Sequence, residues 1–103
     1  MAQTTLPDIR IPQDVERFCI SHGILSDLHL AIRLADETFA PIREWQFSVE
    51  VDPETDDDAV VIDVRASMPV DEAVERHWRF AEKWTAGASV PARGLIVLLF
   101  NPA

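Results

Sequence analysis

The amino-acid sequence predicts an α+β domain: a small antiparallel three-stranded sheet, made of a β-hairpin and a C-terminal strand, packed on three helices in the order α-α-β-β-α-β. Three observations carry this. Two runs alternate apolar and polar residues on either side of a turn rich in proline and aspartate. Three other stretches repeat apolar residues at helical spacing. A continuous apolar run, Leu95 to Phe100, stands near the end. With 103 residues, 48% hydrophobic and 26% charged, the chain has enough apolar material for one modest core.

Residues 1–11 show no period and read as a loose arm, leaving 12–103 as a single domain. Pro12 suits the first turn of a helix, where a missing N–H costs nothing. Val15, Phe18, Cys19 and His22 follow at helical spacing and Gly23 is a stop signal, so the first helix spans about 12–22. Ser26 and Asp27 are N-cap candidates for the second. There Leu28, Ile32, Ala35 and Phe39 form one stripe, and Leu30 and Leu34 lie off it, which predicts contacts on two sides. Pro41 ends this helix, because the residue before a proline avoids helical geometry.

The first strand is Trp45, Phe47, Val49 and Val51 alternating with polar residues. The second is Val60, Ile62, Val64 and Ala66 alternating with Val61, Asp63 and Arg65, and the turn between them runs from Asp52 to Asp58. A third helix begins at Pro69, with Asp71 and Glu72 in its first turn where the helix dipole favours acids. Val70, Ala73, Val74, His77, Trp78, Ala81 and Trp84 form one broad stripe on it, with Phe80 at the edge, and Gly87 follows as a breaker. The run Gly94–Phe100 reads as a strand buried on both faces. With a right-handed last crossover this strand can lie beside strand one and antiparallel to it, in the order 2-1-3. An apolar strand at an open edge invites pairing, so a homodimer is expected, with the sheet continued or covered by a second copy.

Charge narrows the function. Asp and Glu outnumber Lys and Arg by 18 to 9, for a net charge of −9, which argues against direct nucleic-acid binding. Between Glu44 and Glu75 there are 11 acids and one base, Arg65. Such a one-sign field either keeps the chain solvated or speeds encounter with a basic partner. The start carries no signal-peptide pattern, and no apolar run approaches the roughly 20 residues of a membrane span, so the reading is cytoplasmic and without a membrane. A single cysteine, Cys19, makes no internal disulfide.

The candidate chemistry is sparse. Asp52, Glu54, Asp56 and Asp58 match positions 1, 3, 5 and 7 of a calcium loop, and Asp63 position 12. Asp57 stands where that loop needs glycine, Pro53 intrudes, and strands flank it, so a solvated hairpin tip is preferred. Neither a metal nor a cofactor is expected. His22, His29 and His77 form no metal-binding spacing, no serine sits in a nucleophile elbow, and three glycines cannot make a phosphate-cradling loop. No catalytic residue stands out. His77 with Asp63 or Arg65 is the one constellation that would serve a small ligand or an enzyme, if the fold gathered them in a cleft.

Gly23-Ile24-Leu25-Ser26-Asp27-Leu28, the turn entry Val51-Asp52-Pro53-Glu54, the helix end Phe80-Ala81-Glu82-Lys83-Trp84 and the short terminal strand together resemble a group of small uncharacterised bacterial proteins of α-α-β-β-α-β order. The resemblance covers most of residues 12–100 and transfers no catalytic residue. Some such proteins lie beside another small gene, as toxin–antitoxin pairs do, and the resemblance therefore implies a partner-binding role. The expected function is a non-enzymatic interaction module, antitoxin-like or a regulatory subunit. Asp52, Glu54, Asp56, Asp57, Asp58 and Asp63 would supply charge to a basic protein partner, and Trp84 an apolar anchor. The alternative is a ligand binder or enzyme at His77, Asp63 and Arg65.

Overall fold

The two alternating runs form the hairpin that their period predicts. The computed structural model describes residues 9–51 and 53–102. In it β1 (Glu44–Val51) pairs antiparallel with β2 (Asp58–Ala66), setting Trp45 opposite Val64, Phe47 opposite Ile62 and Val49 opposite Val60. The β2 residues of these pairs are fully buried and their β1 partners half-buried. In the turn, Asp56 takes a φ of 60°, a left-handed conformation that aspartate tolerates better than most residues.

β3 (Ile96–Pro102) corrects the antiparallel expectation. It lies beside β2 and parallel to it, with Ile62 opposite Leu98 and Val64 opposite Phe100, so the order is β1-β2-β3. Its direction follows from the crossover, since a long helix returns the chain to the end where β2 began. Its neighbour follows from burial. On the inner face Val60, Ile62 and Val64 of β2 are fully buried while their β1 partners are only half-buried, and the more buried of the two hairpin strands takes the centre. Nor is β3 buried on both faces: Ile96 and Leu98 point into the core, while Val97 and Leu99 are 42% and 47% exposed.

Four helices, not three, occur among the described residues. α1 (Gln13–Ser21) starts after Pro12. It ends in a Schellman motif, with Gly23 at φ +69°, its N–H donating to Ile20 O, and the Ile24 N–H donating to Cys19 O. α2 (Leu25–Phe39) begins two or three residues earlier than Ser26 or Asp27 would cap it, with Ile24 at the N-cap position, and neither side chain caps it. α2 buries Leu28, Ala31, Ile32, Leu34, Ala35 and Phe39, consistent with contacts on two sides. Ile9 and Ile11, from the segment expected to be a loose arm, pack partly buried against this core, and residues 1–8 lie outside the described ones.

α3 (Val70–Gly87) carries two i,i+4 ion pairs, Glu72–Arg76 at 2.7 Å and Glu75–Arg79 at 2.5 Å. Arg76 also donates to Thr38 O at 2.9 Å, tying α3 to the last turn of α2. α3 ends at Gly87, as expected, and the glycine also serves close approach: a Cβ there would sit 3.1 Å from the Leu30 side chain. The unexpected element is α4 (Val90–Leu95). Ser89 is its N-cap, accepting from the Ala92 N–H, and Pro91 lies in its first turn. Both are helix-start signals, but six residues are too few to show an apolar period. The Asp27 carboxylate accepts from the Ser89 N–H at 3.0 Å and from the Ser89 hydroxyl at 2.9 Å, joining α2 to the start of α4.

Candidate functional site

The hairpin turn places Glu54, Asp56, Asp57 and Asp58 together at one end of the sheet, all exposed. Asp52 lies outside the described residues. Thr55 organises the tip by accepting from the Asp57 N–H. Among the described residues no group of three or more His, Cys, Asp and Glu is placed to hold a metal ion. What the tip offers is a negative field on a short, projecting support.

Asp63 and Arg65 lie one ladder in from the edge, on the outer face of the sheet. There they pair with Gln46 and Glu44 on β1 and with Leu99 and Asn101 on β3. Asp63 is half-buried and accepts a hydrogen bond from the Asn101 amide. Arg65 reaches Glu44 at 4.0 Å, with both side chains about half exposed. Asp63 lines a shallow hollow of about 400 Å³ together with Arg10, Gln46, Ser48 and Glu50. His77 lines a different groove, between α3 and β3, and Arg65 lines neither. Asp63 and Arg65 thus point from the outer sheet face and His77 from α3, and neither hollow is lined by all three residues of the ligand-binding alternative.

The tryptophan assignment changes. Trp84 is 9% exposed and stacks beside Phe80 in the core, so it is not a surface anchor. Trp78 is 71% exposed. At about 100° per residue the apolar stripe of α3 spans roughly 160° of the helix, too wide for one contact. Phe80, Ala73 and Trp84 occupy the buried half. Val70, Val74 and Trp78 form the other half, 75%, 52% and 71% exposed. This half faces a groove of about 430 Å³ shared with Met68, His77, Leu98, Leu99, Phe100 and Pro102. The width of the stripe was the signal in the sequence. Which half turned inward was decided by the packing of α3 on α2.

Cys19 is fully buried on α1. Burial pushes its thiol up from 9.0 to about 11, and the nearby Asp27 charge acts in the same direction. The unfolded chain releases this proton near pH 9 and the folded chain near 11, so between those values the folded state binds more protons and stability falls as pH rises. The loss approaches about 1.4 kcal/mol per pH unit in that window. Urea denaturation from pH 8.5 to 11 is expected to show this extra slope in the parent chain and not in Cys19→Ala. Equal slopes would refute it.

Comparison with protein-family models, with curated proteins and with solved structures finds no match to this chain. No helix among the described residues is long and apolar enough to cross a membrane.

Proposed function

We propose that this chain is a non-enzymatic protein-interaction module whose acidic hairpin tip docks a basic protein, as an antitoxin-like or regulatory subunit would. The observation that carries this reading is the segregation of charge. Glu54, Asp56, Asp57 and Asp58 are exposed together at the tip, while residues 67–102 hold four acids and four bases and are neutral. Acids kept only for solvation need not gather at one end, whereas a concentrated field steers and orients a partner of opposite sign.

The test is capture from the native cell at low salt by the tagged chain, followed by a salt titration. The variant Glu54→Lys/Asp57→Lys/Asp58→Lys leaves the left-handed Asp56 in place and reverses three charges. It is expected to weaken binding to a captured basic protein by at least about tenfold at low salt, with the difference shrinking as salt screens the field. Unchanged capture by the variant would reject the docking role of the tip.

A further inference from the structure

We propose that the β3 edge and the exposed half of α3 form a two-fold interface with a second copy of this chain, producing a continuous six-stranded sheet. This does not rest on the acidic-tip reading. Five of the exposed large apolar residues, Val70, Val74, Trp78, Val97 and Leu99, lie on this one side of the molecule. Between them runs the edge of β3, whose backbone groups facing away from β2 have no strand partner among the described residues. An apolar strand edge flanked by an apolar helix face is an association surface unless charge or a covering element blunts it. Here no charged residue occurs from Ile96 to Pro102.

Three features select a second copy as the occupant. The first is charge. The chain carries −9 overall, so most approaches of two copies are repulsive, but this side is built from residues 67–102, whose acids and bases balance. It gives neither a basic nor an acidic protein an electrostatic advantage. The second is shape. The occupant must supply a strand that is apolar on both faces and an apolar helix beside it. β3 with α3 is such a unit, whereas a lone extended peptide would pair the edge and leave the helix stripe half bare. The third is size. A standard interface takes about 800 Å² from each partner, about an eighth of this chain's 6645 Å². A side formed by a seven-residue strand and an 18-residue helix is of that order.

A two-fold axis perpendicular to the sheet pairs β3 antiparallel with its copy and keeps the helices of both copies on the same side. The two α3 helices then run antiparallel across the axis. Trp78 of each copy enters the groove of the other beside Val74 and Phe100, and the Val97–Leu99 rows join on the outer face. β1, with polar Gln46 and Glu50 on its outer face, forms both free ends of the joined sheet. The two acidic tips stand away from the axis.

Sedimentation equilibrium of the full chain from 1 to 100 µM tests this, with Trp78→Asp and Leu99→Lys as variants at exposed positions and circular dichroism as the folding control. The expected result is a species of twice the 11.6 kDa chain mass, at least about 30-fold weaker association in each folded variant, and slower hydrogen exchange of β3 amides as concentration rises. A parent chain that stays monomeric at 100 µM overturns the proposal. So does a dimer that both folded variants leave intact, or one whose formation leaves β3 exchange unchanged. A monomeric parent that captures another protein in a Trp78-dependent way would assign the surface to that protein instead.

Discussion

Truncating Phe39 to alanine is expected to destabilise the fold by about 3–5 kcal/mol, measured by urea denaturation. Phe39 is the largest fully buried side chain among the described residues. It lies at the last turn of α2 and stacks on Phe100 of β3, with ring centroids 5.2 Å apart and planes 20° from parallel. Removing the ring takes away apolar contacts and leaves a cavity between a helix end and a strand that, among the described residues, is paired on one side only. Neither element can close that space without breaking other contacts. Arg76 fixes the helix end through Thr38 O, and β2 fixes the strand. Phe39→Leu keeps much of the volume and is expected to lose less than about 1.5 kcal/mol. A loss below 1 kcal/mol for Phe39→Ala would mean that the α2–β3 contact is not part of the cooperative core.

Asp27→Ala is expected to lose about 3 kcal/mol. Asp27 is 9% exposed and accepts two hydrogen bonds from one residue, Ser89. Hydrogen bonds to a charged group contribute about 1.5–3 kcal/mol, and removing the acceptor leaves the Ser89 N–H without its partner. The effect is local as well as global, because Ser89 starts α4 and α4 delivers the chain to β3. Hydrogen exchange across residues 90–95 is therefore expected to quicken in Asp27→Ala more than in Phe39→Ala. A double-mutant cycle with Ser89→Ala isolates the pair, and a coupling energy of about 1–2 kcal/mol is expected between groups in one network. A coupling near zero would show that Asp27 acts through some other contact.

These two contacts mark the boundary between what was legible in the sequence and what was not. The hairpin was legible because alternation at period two is local: each of Trp45, Phe47 and Val49 states its own side. The Gly23 stop and the Pro41 stop were legible because their causes are backbone conformations of one or two residues. The acidic tip was legible as composition. The Asp27–Ser89 pair was not, because its partners are 62 residues apart and Asp27 looks like an ordinary cap. The apolar α3 stripe could be read, but not its division into a core half ending at Trp84 and a surface half ending at Trp78. That division depends on where α2 lies.

The sequence by itself determined the three longer helices, the presence of three strands, the hairpin and the concentration of acid at its turn, since each rests on interactions between residues near one another in the chain. Only the tertiary structure decided that β3 lies parallel beside β2, that α4 interposes, that His77 and Asp63 line different hollows, and that Trp78 rather than Trp84 faces outward. The physical reason is the same in each case. Local periodicity says that a residue must be covered, and only the competition among apolar surfaces for one small core decides which are covered and which are left to meet another molecule.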